Sequence, residues 1–208
     1  MSVAPRIGVV DTGVNPWHSH VRGNVTGCRI YRRRDGSLGE DGDFRDSVGH
    51  GTAVAALIRE ALPDAEIFAV RVFDATGATY PSLVARGILR AAAARCTFVN
   101  LSLSVAPGVG DNVLGDACRA ALDAGCVLVA SARPDRALWL PAALPGVYAV
   151  TADDTLEPGE TRERGPFRLA APGRPRRLPT VPRQANLAGD SFACARGLVY
   201  LAARQAHA

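Results

Sequence analysis

The 208-residue sequence contains no lysine, and all 24 of its basic side chains are arginine. Catalysis through a lysine Schiff base, a serine–lysine dyad or a phosphate-binding P-loop is therefore excluded, because each of these needs a lysine amine. The formal net charge of +4 is modest. A charge of this size suits acidic peptides or nucleic acid as partners and does not decide between them.

Cysteines are few and widely spaced. The sequence has five of them, an odd number, and no Cys-x-x-Cys pair, so it predicts no structural zinc site. Most lie in apolar or helical surroundings, which indicates buried thiols and favours a reducing compartment. We expect no metal and no other cofactor. The five are Cys28, Cys96, Cys118, Cys126 and Cys194.

Long apolar runs are also absent. The first apolar stretch, residues 7–10, is typical of a buried strand and is too short for a signal peptide. No other run approaches the length of about 20 residues that spans a membrane. The content of 48% hydrophobic and 21% charged residues is that of a globular protein. The sequence thus predicts a cytoplasmic protein with one domain over residues 1–208 and no membrane contact.

Apolar strand patterns and helix patterns alternate along most of the chain, which indicates βαβ units and a parallel sheet covered by helices. Residues 18–49 are polar, glycine-rich and charged, and are predicted to be mostly loop, as are residues 152–188 around one short strand. Strands are predicted at 7–10, 66–72, 97–104, 126–131, 147–151 and 167–171. Helices are predicted at 53–62, 81–95, 111–124 and from 191 onward.

Three polar residues lie at the ends of these predicted elements. Asp11 ends a strand, and His50 and Ser191 each begin a helix. Singly, they are explained as a turn and two helix caps. Together they supply a nucleophile, a base and a carboxylate that orients the base, and the ends of parallel strands bring such groups to one crevice. A helix N-terminus disfavours a charged histidine, so we expect His50 to stay neutral.

The triplet at residues 11–13, Asp-Thr-Gly, also occurs in aspartic proteases. That alternative needs a second triplet or a symmetric dimer, and it leaves His50 and Ser191 without a role. We therefore set it aside.

Three motifs in the order Asp, His, Ser resemble those of the subtilisin-like serine proteases. They are Val-Val-Asp-Thr-Gly at 9–13, His-Gly-Thr-Ala-Val-Ala at 50–55 and Gly-Asp-Ser-Phe-Ala at 189–193. Four further segments are similar to those of the family, so the resemblance covers nearly the whole chain. These segments lie at 63–72, 100–104, 140–150 and 170–173.

The resemblance implies a three-layer α/β sandwich, with a mostly parallel sheet and helices on both faces. It implies a serine endopeptidase in which Ser191 attacks, His50 transfers the proton and Asp11 orients His50. The substrate backbone is expected to pair with Ser102, Leu103 and Ser104 as an added strand. We expect a peptide or protein substrate and no nucleic acid, and we leave a partner protein open.

The sequence departs from the family at the oxyanion hole. The expected asparagine donor falls at Pro134, which has no N–H, and Asp190 replaces the usual threonine before the nucleophile. Loss of one such donor costs roughly 3–4 kcal/mol of transition-state stabilisation. The remaining candidates for the oxyanion hole are the backbone N–H of Ser191 and the guanidinium of Arg133. A carboxylate at Asp190 is expected to repel the developing negative charge.

Two further departures concern specificity and size. The glycine at the floor of the pocket for the residue before the scissile bond falls near Trp139, which predicts a pocket for Gly, Ala or Ser, or a tryptophan packed in the core. The helix after His50 lacks the insertion that carries a calcium site in secreted members, and we expect no pro-region. We therefore expect a processing protease that acts on one specific peptide.

Two alternatives to an active enzyme are kept. The first is a degenerate subtilase, a pseudoprotease that binds peptide without cleaving it because the oxyanion hole is altered. The second is a plain structural α/β domain.

Overall fold

The apolar run after Arg6 forms strand β1 (Arg6–Asp11), which is buried from Ile7 onward. It is buried because β4 (Glu66–Arg71) and β5 (Phe98–Leu101) pair with it in parallel, one on each side. The structure, a computed structural model, describes residues 4–108, 110–177, 182 and 186–206.

The sheet has nine strands in the spatial order β3-β2-β4-β1-β5-β6-β7-β9-β8. The edge strands β3 and β8 are antiparallel to their neighbours, and the other paired strands are parallel. The remaining strands are β2 (Val25–Arg32), β3 (Leu38–Asp41), β6 (Val127–Ser131), β7 (Tyr148–Ala152), β8 (Arg162–Glu163) and β9 (Arg168–Ala171).

Helices cover both faces of this sheet. On one face α2 (Pro81–Ala93) and α3 (Asp111–Asp123) bury Ile88 and Leu114. On the other, α1 (His50–Ala61) and α4 (Asp190–Ala206) bury Leu57 and Leu198. The predicted α/β fold, a three-layer sandwich with a mostly parallel sheet and helices on both faces, is confirmed.

The prediction of mostly loop over residues 18–49 missed two strands, because β2 and β3 lie within this segment. The buried residues of β2, Cys28 and Ile30, alternate with Arg29 and Tyr31, and the surrounding charged residues obscure this alternation in the sequence. Arg29 pairs with Asp41 directly across the β2–β3 register, with Nε to Oδ1 at 3.2 Å.

Two other boundaries differ from prediction. β5 ends at Leu101, three residues early, because the chain beyond it leaves the sheet to contact the start of α4. The predicted loop at 152–188 contains β8, and its residues 178–181 and 183–185 lie outside the described part of the chain.

All five cysteines are free and buried. Burial raises the pKa of Cys96, Cys118 and Cys194 to about 12 in each case, so these thiols are unreactive. No helix within the described residues combines the length and apolar character needed to span a membrane.

Candidate active site

The end of β1 and the beginning of α1 bring Asp11 and His50 into contact. Oδ1 of Asp11 lies 2.7 Å from Nδ1 of His50 and also accepts the N–H of Thr12 at 2.7 Å. The Asp11 carboxylate is 1% exposed, so its side of the contact is shielded from water, whereas His50 is half-buried. A buried carboxylate on Nδ1 fixes the imidazole so that Nε2 is the nitrogen free to accept a proton.

Gly51 permits this close approach. A Cβ atom at Gly51 would lie 2.2 Å from the carbonyl oxygen of Gly13 and 3.1 Å from Cβ of Asp11. Any side chain here would therefore force α1 away from the end of β1. This contact gives a physical reason for the glycine that follows His50.

Asp46, which sequence reasoning missed, ties the two motifs together. Its Oδ1 accepts the hydroxyl of Thr12 at 2.9 Å and the N–H groups of Val48 and Gly49. Its Oδ2 accepts the N–H of Thr52 at 2.9 Å and the Thr52 hydroxyl at 2.7 Å. The available signal was a lone aspartate four residues before His50, just ahead of a helix start.

The pKa of His50 is raised above its ordinary value. Burial alone lowers it, but the hydrogen bond and charge of Asp11, together with the charge of Asp46, outweigh burial. The expectation that the helix N-terminus keeps His50 neutral is therefore wrong in direction, because Asp11 and Asp46 raise its pKa.

Ser191 lies in the first turn of α4, after Gly189, whose φ of +140° suits glycine. Its hydroxyl donates to the carbonyl of Ser102 at 3.2 Å, and the Ser102 hydroxyl donates to the carbonyl of Ser191 at 2.8 Å. The next residue, Phe192, has its ring centroid 5.7 Å from that of His50. Asp11, His50 and Ser191 therefore lie together at the carboxyl ends of the parallel strands.

Asn100, which lies in one of the family-like segments, forms hydrogen bonds that support the contact between Ser102 and Ser191. Its amide Nδ2 donates to the Ser102 hydroxyl at 2.8 Å, and its Oδ1 accepts the Cys194 thiol at 3.3 Å. Asn100 is fully buried. The side chain thus links the end of β5 to the first turns of α4.

Asp190 faces the neighbouring strand. Its Oδ1 accepts the N–H of Ala152, at the end of β7, at 2.8 Å. A carboxylate in the first turn of a helix is also favourably placed relative to the helix dipole. Asp190 thus anchors the start of α4 to the sheet, a role that its position in the sequence did not reveal.

Arg133 and Pro134 lie in an exposed turn after β6. Pro134 begins a short 3-10 helix (Pro134–Arg136). The guanidinium of Arg133 forms two contacts with Asp135, Nε to Oδ1 at 3.0 Å and Nη2 to Oδ2 at 3.3 Å. Asp135, and more weakly Asp190, raise the pKa of Arg133. Arg133 is thus within electrostatic range of Asp190 while it is bonded to Asp135.

The predicted substrate-binding segment begins beside Ser191. Ser102 and Leu103 are buried and Ser104 is half-buried. The next residue, Val105, exchanges two backbone hydrogen bonds with Leu140, at 2.8 and 2.9 Å. This bridge places Trp139, which precedes Leu140, close to the same segment.

Trp139 is half-buried, and the guanidinium of Arg136 lies 4.1 Å from the centroid of its ring. The indole is thus covered by a cation–π contact from the 3-10 helix.

Comparison with known proteins agrees with this geometry. The profile described as the subtilase family matches residues 3–195. Thermitase from Thermoactinomyces vulgaris is 34% identical over 137 residues, which cover 61% of this chain and 46% of thermitase. Subtilisin E from Bacillus subtilis (strain 168) is 26% identical over 207 residues, which cover 92% of this chain and 51% of subtilisin E.

A third relative, the minor extracellular protease Epr of Bacillus subtilis (strain 168), is 29% identical over 159 residues, or 71% of this chain and 23% of that protein. The chain thus spans 23–51% of the length of these three relatives.

Among solved structures, a cold adapted subtilisin-like serine proteinase superposes with a TM-score of 0.74 at 22% identity, covering 97% of this chain and 75% of that one. Because the family profile covers most of the chain and the fold agrees, this chain belongs to the subtilase family.

Proposed function

We propose that this chain is a serine peptidase that hydrolyses peptide bonds through an acyl-enzyme. Ser191 is the nucleophile, His50 is the general base and acid, and Asp11 orients His50. The observation that carries the proposal is the 2.7 Å contact between buried Asp11 and His50. This contact lies at the carboxyl ends of the parallel strands, close to Ser191 in the first turn of α4. The family membership of the chain supports it.

The first step requires the Ser191 hydroxyl to turn. A hydroxyl has one hydrogen to donate, and at rest this hydrogen is bonded to the Ser102 carbonyl. Rotation about the Cα–Cβ bond transfers it toward Nε2 of His50, which takes the proton as Ser191 Oγ attacks the substrate carbonyl carbon. The imidazolium that forms is stabilised by Asp11, and it then protonates the leaving amine.

Water completes the cycle in the second half of the reaction. His50 removes a proton from the water molecule, which attacks the acyl carbon. The C–O bond to Ser191 breaks, and the proton returns from His50 to Ser191 Oγ.

The oxyanion is stabilised by the backbone N–H of Ser191. That N–H lies in the first turn of α4, where backbone N–H groups have no acceptor within the helix and the dipole favours negative charge. For the second donor we propose Arg133, which must first leave Asp135. Asp190 is less unfavourable than its charge suggests, because its Oδ1 is bonded to Ala152.

The substrate backbone adds as a strand along Ser102, Leu103 and Ser104. We propose that Trp139 limits the pocket for the residue before the scissile bond, so that Gly, Ala or Ser fits there. Trp139→Ala should then increase turnover of substrates with larger residues at that position. No increase would show that Trp139 packs in the core instead.

A narrow pocket supports a role in processing one specific peptide, and cleavage-site profiling with a peptide library tests this. The five buried free thiols support a reducing compartment, the cytoplasm. The substrate is a peptide or protein, and the proposal includes neither nucleic acid nor membrane.

Covalent labelling with a fluorophosphonate tests the activity directly. We expect one label per chain, on Ser191, and loss of labelling in Ser191→Ala and in His50→Ala. A matched Ser82→Ala variant, which changes an exposed serine on α2, should label as the parent does.

A second candidate is a degenerate subtilase that binds peptide without cleaving it. The observations that favour it are Pro134 in place of a donor and the bonding of the Ser191 hydroxyl to Ser102. Peptide binding without labelling of Ser191 would establish this second function and refute the first.

A further inference from the structure

A large cavity lies between the C-terminal halves of α1 and α4 and the Pro/Arg-rich segment at residues 172–177. Its volume is about 1120 Å³, and none of Asp11, His50 and Ser191 lines it. Along α4, its lining residues Arg196 and Ala203 lie about 7.5 and 18 Å beyond Ser191, at 1.5 Å per residue. The cavity is therefore separate from the triad but attached to the same helix.

Positive charge dominates the lining. Of the described residues that line the cavity, four are arginines, at positions 174, 176, 177 and 196, and one, Glu60, is acidic. Glu60 pairs with Arg176 at 3.2 Å, and Asp154, outside the cavity, pairs with Arg174 at 3.4 Å. Arg177 and Arg196 have no ion pair among the described residues.

Arg196 has an unused donor inside the cavity wall. Its Nη2 donates to the carbonyl of Arg174 at 3.1 Å, but its Nε is buried and has no hydrogen-bond partner in the described structure. A buried donor without an acceptor is unfavourable, so an anionic acceptor from a ligand would stabilise this side chain. Burial also lowers the pKa of Arg196, which an anion would reverse.

Most of the remaining described lining residues are apolar or aromatic, and Thr161 and Asn186 are polar. Leu57 and Ala61 of α1 face Val199, Tyr200 and Ala203 of α4 across the cavity. A small inorganic anion would leave these side chains without contacts. A ligand that combines carboxylates with apolar side chains would satisfy both parts of the wall, and the volume is that of a ligand site rather than a packing defect.

We propose that this cavity binds an acidic peptide segment with apolar side chains, as a second recognition site for the substrate. The role in substrate recognition rests on the peptidase function proposed above, whereas the binding itself does not. An extended segment covers about 3.3 Å per residue, so about six residues span the distance from Ser191 to the far end of the cavity. The near end of the cavity, at Arg196, is about 7.5 Å from Ser191, so the acidic segment begins at least about two residues from the scissile bond.

Binding is measured with the Ser191→Ala variant, which cannot form an acyl-enzyme. The probe is a fluorescein-labelled hexapeptide, Glu-Leu-Glu-Phe-Glu-Leu, compared by anisotropy with the same peptide carrying Gln for every Glu. We expect the acidic probe to bind at least about tenfold more tightly, and to weaken as salt is raised. Equal affinity for the two peptides would overturn the proposal.

Arginine variants locate the site. Arg196→Gln and Arg177→Gln should each weaken binding of the acidic probe by about tenfold. Arg119→Gln, which removes the same charge from α3 on the opposite face of the sheet, should leave binding unchanged. Arg196 also donates to the Arg174 carbonyl, so Arg196→Gln can alter the cavity wall itself. Arg177 is exposed, so Arg177→Gln tests the loss of charge without that effect. Unchanged binding in Arg177→Gln would place the peptide elsewhere.

Two controls separate this proposal from its alternatives. Displacement of the probe by inorganic pyrophosphate at equal concentration would show a plain oxyanion site and refute the peptide assignment. Cleavage of a short substrate without an acidic segment should be the same for the parent and for Arg177→Gln. If the parent cleaves nothing while Ser191→Ala binds the acidic probe, the cavity assignment stands and the peptidase function fails.

Discussion

Ser102 and Ser191 hold each other through two reciprocal hydrogen bonds, each from a hydroxyl to the partner's backbone carbonyl, at 2.8 and 3.2 Å. Ser191, the proposed nucleophile, is therefore positioned by the residue that follows β5. A substrate strand that pairs along residues 102–104 contacts the same segment. Substrate binding and release of the Ser191 hydroxyl thus involve one stretch of backbone.

Ser102→Ala removes the hydroxyl, so the buried amide Nδ2 of Asn100 loses its acceptor and the part-buried carbonyl of Ser191 loses one of its donors. We expect the free energy of unfolding to fall by about 1–3 kcal/mol. Urea unfolding measures this in a Ser191→Ala background, which prevents self-digestion. The exposed Ser82→Ala should change it by less than about 0.5 kcal/mol. Equal stability of the two variants would contradict the assigned hydrogen bonds.

Gly51→Ala tests the contact between α1 and β1. The added Cβ would lie 2.2 Å from the Gly13 carbonyl oxygen, so α1 must move and the Asp11–His50 contact must lengthen. We expect kcat/KM to fall at least about a hundredfold and the free energy of unfolding to fall by about 1–3 kcal/mol. Gly42→Ala is the matched control, because a Cβ at Gly42 meets nothing within 4 Å. Similar activity of both variants would count against the packing described.

The sequence predicted the layers of the fold and the three residues Asp11, His50 and Ser191, because each lies where a periodic apolar element begins or ends. The sequence did not predict a strand whose apolar pattern is obscured by charged residues, or hydrogen bonds between residues that are distant in sequence. β2 was missed because its arginines obscure two buried side chains. The bond from Asp190 to Ala152 spans 38 residues and leaves no local signal. The pKa of His50 depends on two carboxylates that only the folded chain brings close.

Asp46→Asn replaces one acceptor oxygen with an NH₂ group that faces existing donors. In either orientation of the amide, at least one backbone N–H loses its acceptor, so we expect the free energy of unfolding to fall by about 1–3 kcal/mol. The hydrogen bonds to Asp46 outweigh its burial and lower its pKa. Its contribution is therefore present above the unfolded pKa of about 3.9 and is lost as pH falls through the lower folded value.

The same variant should lower the pKa of His50, because the charge of Asp46 raises it. The acid limb of kcat/KM then moves to lower pH, which a purely structural defect would not produce. Asp116→Asn, an exposed change on α3, should leave both stability and the pH profile unaltered. An unmoved acid limb would limit Asp46 to a structural role.

The raised pKa of His50 sets the pH dependence of activity. Because His50 must be neutral to act as a base, kcat/KM should rise through a pKa above the ordinary 6.5. Asp11→Asn should move this limb to lower pH and reduce kcat by about 10⁴-fold, since the tautomer is no longer fixed. An acid limb below the ordinary value in the parent would contradict the assigned Asp11–His50 contact.

The raised pKa of His50 also makes the free energy of unfolding depend on pH, in the opposite direction to activity. A group whose folded pKa is raised stabilises the fold below its unfolded pKa, and this contribution is lost as pH rises through the folded pKa. In the Ser191→Ala variant, the free energy of unfolding should decrease as the pH rises from about 6.5. Adding Asp11→Asn should remove it.

Arg133→Ala tests the second oxyanion donor. We expect kcat to fall by about 10²- to 10³-fold, with a change in the free energy of unfolding below about 0.5 kcal/mol because the side chain is exposed. Asp135→Asn frees the guanidinium from its ion pair and should raise kcat. An unchanged rate in Arg133→Ala would leave the Ser191 N–H as the donor and remove Arg133 from the mechanism.

Because all five thiols are buried, their reaction with a reagent would report that the folded structure has opened. One of them, Cys194, is fully buried and lies only three residues after Ser191. A thiol-specific reagent can therefore modify the chain only when packing around a cysteine is broken. Cys194 lies in the core on the α1–α4 face of the sheet and the other four lie in the core on the α2–α3 face, so the order in which they become alkylated would show which helix layer separates from the sheet first.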